Sequence, residues 1–302
     1  MDFRELQYLL AIAKHLNITR AAEELYVSQP TLSKFLQKLE AEIGQPLFKR
    51  IGNRFALTYA GEVYIDKAKH ILELKKSLDS ELSDIIQNDR GELNVAFPTM
   101  RGTYMLPDTL PIFKKRFPHV KVNVFESNST TIDNLLLQGD VDIAFYNLTH
   151  IHPNLEYEII RREEIVLIAA ASNPICRLAQ QHTDCKYPWL PLNAIEDQLC
   201  ILTSRRQRTR QIVDHLLEEN NLKLSQVMEI SNILAGIQLA ARGYGVTFTS
   251  ECHLRHMQLP ENICIFSIGN PNVSFDFVAA SRRGLYRSSY AQSFISIVTQ
   301  CY

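Results

Sequence analysis

From Tyr59 to Asn88 the sequence contains no proline, and its one glycine, Gly61, falls in the opening turn of the helix that such a stretch dictates. About 30 residues of unbroken helix reach roughly 45 Å. A rod of that length does not fold into one compact core. It divides the chain into a head, residues 1–58, and a body, residues 91–302, with the helix at 59–90 between them. Tyr64, Ile71, Leu78 and Ile85 recur at sevens, and Ala68, Lys75 and Leu82 follow four residues after the first three. That is a heptad seam of about three repeats with one polar interruption at Lys75. It predicts dimerisation through Tyr64, Ala68, Ile71, Leu78, Leu82 and Ile85. The competing expectation is a stripe packed only against its own domain.

A chain of 302 residues has material for two or three domains. Its 46% hydrophobic and 22% charged content suits a globular protein, and no run approaches the ~18 apolar residues of a membrane span. In the opening MDFRELQYLLAIAKHLN charges recur between apolar residues, which predicts an amphipathic helix and not a signal peptide, hence a cytoplasmic location. Six cysteines scattered over the last two thirds suggest reduced thiols. Formal charge is −1 overall, yet residues 1–58 carry +2 and residues 59–90 carry −2. That asymmetry points to nucleic acid only if the basic residues of the head are clustered.

In the head, Phe3, Leu6, Leu9, Leu10, Ala13 and Leu16 step by threes and fours, one apolar face of a helix over about 2–16. Asn17 and Thr19 offer caps for a short second helix, about 19–25, whose Ala21 and Ala22 are small enough to admit a close neighbour. Ser28 caps a third helix. Pro30 is tolerated in its first turn, Leu32, Phe35, Leu36, Leu39 and Ile43 form its buried stripe, and Gly44 stops it. Two helices joined by so short a turn are a candidate helix-turn-helix. On the third helix Pro30, Ser33, Lys34 and Gln37 fall opposite the stripe. A DNA-reading helix needs donors on that side: Ser28, Thr31 and Ser33 for phosphates, Gln29 and Gln37 for an adenine edge, Lys34 for guanine and the Pro30 ring for a thymine methyl. The same side chains would also make an ordinary solvated face.

Residues 46–58 then place Gly52-Asn53 between two β-prone runs, a hairpin signal, with Arg54 at its tip. Such a wing can lay Arg54 in the minor groove and hold phosphate through Lys49 and Arg50. The run AAEELYVSQPTLSKFLQKLEAEIGQPLFKR, with the following LTYAGE, resembles the N-terminal domain of the LysR family of bacterial transcriptional regulators. The resemblance implies that Gln29, Pro30, Ser33 and Lys34 face the major groove and that Arg54 enters the minor groove. Lys34 stands where the family usually has arginine, and Phe35 where it often has glutamine. Lysine lacks the bidentate fork, so position 34 would hold a guanine less tightly. The family also implies double-stranded promoter DNA as a partner, homodimers and tetramers built as dimers of dimers. Two-fold symmetry predicts a pseudo-palindromic site.

The body alternates β-rich and helical runs. Glu92–Phe97, Val120–Phe125, Val141–Phe145 and Ile165–Ala170 read as strands, and Tyr104–Phe117 and Thr130–Gln138 as helices. The second half repeats the theme with Leu199–Thr203, Thr209–Asn220, Gln226–Ile230, Ile233–Arg242 and Val246–Thr249. The segments LLLQGDVDIAF and LAARGYGVTFT are each a helix end, a stop glycine and a strand. The fold class is therefore α/β: a winged helix-turn-helix, a linker helix and two doubly wound lobes. Lobe one is 91–161 plus 268–302 and lobe two is 162–267, with crossovers at Arg161–Glu164 and Gly269–Asn272. This layout resembles the LysR effector domain and the periplasmic solute-binding proteins. Ligands in such sheets sit beyond the strand ends, beside helix N-termini that favour anions. The effector candidates are Thr99, Met100, Ser127, Ser129, Thr130, Thr203 and, more weakly, Asn232; each hydroxyl among them could equally be a helix cap. The expected effector is a small metabolite, anionic if it uses those N-termini. Arg205, Arg206, Arg208 and Arg210 could meet it or form a solvated face.

No P-loop, G-x-S-x-G, H-E-x-x-H or paired C-x-x-C is present, so neither an enzyme, a cofactor nor a metal is expected. Cys252, His253 and His256 would be three metal ligands without a clear fourth. Two alternatives stand beside the regulator: a solute-binding protein, against which residues 1–90 speak, and redox sensing through Cys176 and Cys185. Only Arg177 and Lys186 are near enough in sequence to lower a thiol pKa there.

Overall fold

The structure, a computed structural model, describes residues 2–51, 54–85, 91–256, 259 and 261–302; the side chains of Arg54, Ser83, Ile85 and Ser129 fall outside that description. The expected turn Gly52-Asn53 and the end of the linker at 86–90 also lie outside the described residues. Two compact units divide the chain, Met1–Gln87 with Leu285–Ser288 and Asn88–Gly284 with Ser289–Tyr302.

The first unit runs α1 (Phe3–His15), α2 (Ile18–Glu24), α3 (Gln29–Ile43), β1 (Phe48–Ile51), β2 (Arg54–Leu57) and α4 (Tyr59–Ile85). Local chemistry sets its helix starts. Asp2 and Glu5 form a reciprocal capping box on α1, the Asn17 side chain accepts from the Arg20 N–H, and the Ser28 hydroxyl accepts from the Thr31 N–H. Thr19 is not used as a cap. Leu9, Ile12, Ala21, Leu32, Leu36 and Leu47 are packed into one core, which α4 completes with Ile65. Phe3 and Ile43, at the outer ends of their stripes, are exposed instead of buried. The hairpin is fixed to α3 by Glu40, whose carboxylate accepts from the backbone N–H groups of Leu47 at 2.7 Å and Phe48 at 3.0 Å.

The second unit runs β3 (Gly91–Pro98), α5 (Thr99–Arg116), β4 (Val120–Ser127), α6 (Ser129–Gln138), β5 (Ile143–Asn147), β6 (Leu155–Ala170), β7 (Leu199–Thr203), α7 (Arg208–Glu219), β8 (Gln226–Ile230), α8 (Ile233–Ala241), β9 (Val246–Ser250), α9 (Glu251–Arg255), β10 (Ile263–Ser267), β11 (Val273–Arg282) and α10 (Ser289–Cys301). In lobe one, β3 is parallel to β4 and β5; in lobe two, β7 is parallel to β8 and β9. Gly139 and Gly243 end α6 and the α8 turn with φ of 83° and 76°, the left-handed geometry that a stop glycine supplies. The expected βαβαβ repeat is therefore present in both lobes.

Two details differ from expectation. Helix α5 begins at Thr99, five residues before Tyr104, because the chain leaves β3 directly into a helix at Pro98. The lobes are joined by two long antiparallel strands, β6 and β11, paired along their length. Arg161–Glu164 lies within β6, between Ile160, packed on the first lobe's core, and Ile165, packed in the second's. Val273 and Phe275 pack on the second core and Phe277 in the first, so the return crossing falls near Asp276 and not at Gly269–Asn272.

Gly61 in α4 has no room for a side chain: a Cβ there would lie 2.0 Å from the Leu47 carbonyl oxygen. The closeness lets α4 start against the hairpin, with the Thr58 hydroxyl accepting from the Gly61 N–H at 3.0 Å. Gly61→Ala is expected to destabilise the first unit by more than about 1 kcal/mol, since the neighbour is backbone and cannot swing away. Urea unfolding followed by circular dichroism checks this; an unchanged midpoint would show that the contact is relieved at no cost.

Candidate functional site

Two surfaces carry the residues singled out in the sequence. On α3, the stripe Leu32, Leu36 and Leu39 is buried. Ser28, Gln29, Pro30, Thr31, Lys34 and Gln37 are exposed, and Ser33 is half-buried. Phe35, where glutamine is usual in the resembled family, is half-buried, with its ring edge-on to Tyr8 at 5.6 Å. Ser28 is occupied as the cap, with its hydroxyl also 2.7 Å from that of Thr31. Lys49 and Arg50 are exposed on β1, and Arg50 lies over the Phe55 ring, 5.7 Å from its centre. In β1 and β2, Ile51 pairs with Arg54, so the arginine's backbone sits at the tip side of the hairpin. The surface as a whole offers amide, hydroxyl and cationic donors.

On α4 the expected seam splits. Tyr64 packs against the head's own core and Ala68 is buried, so neither is free for a partner. Ile71, Leu78 and Leu82 are exposed, and so is Leu74, which the sevens alone passed over. The Ile85 side chain is outside the description. Lys75, the polar interruption, pairs with Asp79 one turn on and lies over Phe3.

The second surface is a cleft of about 470 Å³ between the lobes. Four of the expected residues line it: Thr99, Met100, Ser127 and Asn232. Thr203 and Thr130 do not. Thr203 is buried at the end of β7, its carbonyl accepting from Arg210 at 2.8 Å, and the turn that follows carries the chain on to Gln207, Arg208 and Thr209, which take its place in the wall. Thr130 is exposed one turn position past the cleft, where Asn128 does the lining and caps α6. The backbone of Ser129 opens α6, but its side chain is not described. Asn232 lines the cleft and also caps α8, accepting from the Ala235 N–H at 3.2 Å. Sequence reasoning missed Arg101, Asn147 and His253, which reach the cleft through long-range packing; a signal for the first was its place beside Thr99 and Met100.

Arg101 organises the floor. Its guanidinium donates to both Glu163 oxygens, at 3.1 and 2.6 Å, and to the Asn147 amide oxygen at 2.5 Å. It also lies over the Phe277 ring at 4.0 Å. Ser250 donates to Glu163 at 2.7 Å from the end of β9. Burial opposes the Glu163 charge, but Arg101 and these hydrogen bonds outweigh it and hold the carboxyl at about 2. The nearby His253, whose Nδ1 is 3.0 Å from the Thr249 hydroxyl, is pushed down to about 3 by burial and by the Arg101 charge. It is neutral at ordinary pH. The cleft lining contains no aspartate or glutamate.

The arginine run divides by position. Arg205 and Arg206 are exposed; Arg210 is buried against Asp214 at 2.6 Å; Arg208 alone of the four lines the cleft. The metal candidates also separate: Cys252 is 3.1 Å from the Tyr104 hydroxyl, His253 bonds Thr249, and the His256 ring stacks on Tyr104 at 4.5 Å. Among the described residues no group of three or more such ligands could hold a metal ion. Cys176 donates to the Ala170 carbonyl and has Cys264 as its thiol neighbour, whereas Cys185 donates to the Pro271 carbonyl. Burial pushes the Cys176 thiol up to about 11 and raises Cys185 as well, which is the opposite of thiolate activation.

A winged helix-turn-helix with an open polar face, followed by a long helix and a two-lobed domain with a lined cleft, defines a class: regulators that couple a DNA-reading head to a small-molecule domain. Residues 3–62 match the bacterial regulatory helix-turn-helix domain of the lysR family, and residues 87–301 match the LysR substrate binding domain. The chain belongs to the LysR family of DNA-binding transcriptional regulators. It is 28% identical to the uncharacterized HTH-type transcriptional regulator YcgK of Bacillus subtilis, over 98% of this chain and 94% of that one. Its fold is similar to a full-length OxyR variant from Pseudomonas aeruginosa, with a TM-score of 0.74, 22% identity and coverage of 99% and 94%. It is also similar to full-length CbnR complexed with its target DNA, with a TM-score of 0.62, 23% identity and complete coverage of both chains.

The two depressed pKa values set an acid limit. An unfolded chain takes up a proton on histidine below about 6.5, whereas folded His253 does so only near 3. Stability contributed by His253 is thus complete above 6.5 and falls as pH drops toward 3; Glu163 adds a second loss between 4.5 and about 2. Between pH 6.5 and 5 the slope from His253 is up to about 1.4 kcal/mol per unit. Chemical denaturation at several pH values should show it in the native protein and lose it in His253→Gln; an identical slope in both would assign it elsewhere.

Proposed function

We propose that the chain is a cytoplasmic, homo-oligomeric regulator that reads a pseudo-palindromic promoter site with α3 and its wing, acting by binding and not by turnover. The observation that carries this reading is the uncovered polar side of α3, with Gln29, Pro30, Lys34 and Gln37 all exposed over a buried leucine stripe. Gln29, Gln37 and Lys34 read base edges; Ser33, Thr31, Lys49 and Arg50 hold phosphates; Arg54 enters the minor groove. CbnR, solved on its target DNA, supports the same use of this fold. No helix among the described residues is long and apolar enough to cross a membrane, which agrees with a location beside the chromosome.

Two copies pair through the exposed seam Ile71, Leu74, Leu78 and Leu82, since a single chain leaves these in water. The effector is a small anion held in the interlobe cleft by Thr99, Met100, Ser127 and Asn232 of the original candidates, joined by Asn147, Gln207 and Arg208. Support comes from donors at contact distance in the lining, helix N-termini and the unbonded Nε of Arg208. Helices α5 and α7 both begin there without a side-chain cap, leaving backbone N–H groups for a ligand. Effector binding alters DNA binding to the extent that it favours one arrangement of subunits over another.

Band-shift titration on the protein's own upstream promoter region separates the assigned contacts. Gln29→Ala is expected to relax the preference for specific over random duplex by about 1–3 kcal/mol. Lys49→Ala should weaken both duplexes alike and lower the salt slope by about 0.9. Equal effects of the two changes on both duplexes would overturn the division between base and phosphate contacts. Replacing Leu74 and Leu78 together by Glu is expected to yield monomers in sedimentation analysis. A double variant that still sediments as wild type would show that α4 is not the pairing surface.

A further inference from the structure

Arg208 is the first residue of α7, in lobe two, yet its guanidinium is bonded wholly to lobe one. Nη2 meets Asp133 of α6 at 2.6 Å, and Nη1 donates to the Thr149 hydroxyl beyond β5 at 2.5 Å. The group lies over the Tyr146 ring, 4.3 Å from its centre. Only 4% of Arg208 is exposed, and Nε, also buried, donates to nothing. Asp133 is partly exposed and has a second side chain nearby, the His150 ring, whose Nε2 lies 3.8 Å away. The same arginine lines the effector cleft.

These facts make an unequal bond. Asp133 has water and His150 to turn to if it loses Arg208, whereas Arg208 is too buried to be left without an anion. A carboxylate or phosphate entering the cleft can offer two acceptor oxygens to the guanidinium and reach the idle Nε, which Asp133 does not. The uncapped start of α7, at Gln207 and Arg208, favours an anion at the same spot.

We infer that Arg208 is a latch between the lobes which an anionic effector releases by taking the guanidinium from Asp133 and Thr149. In the arrangement described, the latch ties α7 to α6. With the anion bound, Arg208 serves the ligand, α6 is freed, and the lobes are joined by the Arg101–Glu163 floor and the two crossing strands. The effector is thereby sensed as a change in which lobe holds Arg208. This inference rests on the cleft being the effector site proposed above.

Hydrogen–deuterium exchange on the full-length protein, in the absence of DNA, tests it. Asp133→Asn keeps the shape and removes the charge; it should speed exchange in α6 and in α7 beyond its first turn about tenfold. Thr149→Val, which removes only the neutral acceptor, should do so in the same direction and less. Arg205→Gln, an exposed arginine of the same run, should leave both helices unchanged. Acetate, benzoate and inorganic phosphate at millimolar concentration serve as anionic probes. At least one should drive wild-type α6 toward the exchange of Asp133→Asn and have no such effect on Arg208→Gln. Wild-type exchange in both Asp133→Asn and Thr149→Val would overturn the latch. A probe acting equally on Arg208→Gln, or no probe acting on wild type, would overturn the release step. Failure to bind duplex DNA would sink the regulator reading by itself, without changing any of these outcomes.

Discussion

A single buried guanidinium holds the body of this protein in register. Arg101 enters from the first turn of α5, in lobe one, and is met by Glu163 on the strand that crosses between lobes, itself bonded by Ser250 from lobe two. Such a pair is a poor source of net stability, because the desolvation of two charges offsets much of their attraction, and well-packed apolar residues would often serve as well. Its value is geometric. Removing one partner leaves an uncompensated buried charge, at a cost of about 3–5 kcal/mol, so positions of the three elements that separate Arg101 from Glu163 are strongly disfavoured. Burial, helped by the same charge, depresses His253 and keeps that ring neutral, so the cleft floor is electrically fixed over the ordinary pH range.

The rest of the cleft follows from that floor and from strand direction. Both lobes use parallel strands, so the helices after β3, β4, β7 and β8 all begin at the same side, where the lobes face each other. No floppy linker joins them. Strands β6 and β11 cross as a paired ribbon, with an irregularity in register at Phe277 and Val278 beside the Arg101 guanidinium. Movement of one lobe against the other must therefore be a twist of paired strands about a fixed ion pair, a motion that preserves the core of each lobe.

Much of this was legible in the chain because its causes are local. The three head helices announce themselves through caps and stripes, Asn17, Ser28, Leu32 and Gly44 among them, and the outward side of α3 follows from helical period alone. The strand-end rule picked Thr99, Met100, Ser127 and Asn232, which line the cleft. It also picked Thr203 and Thr130, which do not line the cleft, because it counts from a strand end and cannot see how far a turn runs before its helix begins. Arg101, Asn147 and His253 were beyond it for a different reason: their roles come from partners 46 to 62 residues away, or from burial, neither of which leaves a periodic trace. The seam on α4 shows the same limit. Sevens identify a face, but only packing shows that Tyr64 sits on the head's core, that Ala68 is buried and that Leu74 is left in the open.

The four arginines of residues 205–210 make the point about charge most clearly. Counted in sequence they are a strong basic patch, yet Arg210 is neutralised by Asp214, Arg208 by Asp133, and Arg205 and Arg206 face water. On the other wall Arg101 is neutralised by Glu163, and His253 carries no charge. The cleft is thus near zero in net charge despite its two arginines. Preference for an anion cannot come from long-range attraction of the kind that speeds encounter. It must come from donors at contact distance, the free N–H groups at the starts of α5 and α7 and the idle Nε of Arg208. Selection of this kind reads where a ligand's oxygens lie and weakens little with salt, while a head that held phosphates through exposed lysine and arginine, as proposed, would be strongly salt-dependent. On the proposed reading the two ends of the molecule would recognise negative charge by opposite physics, which would allow the ionic conditions that tune DNA binding to leave effector binding largely untouched.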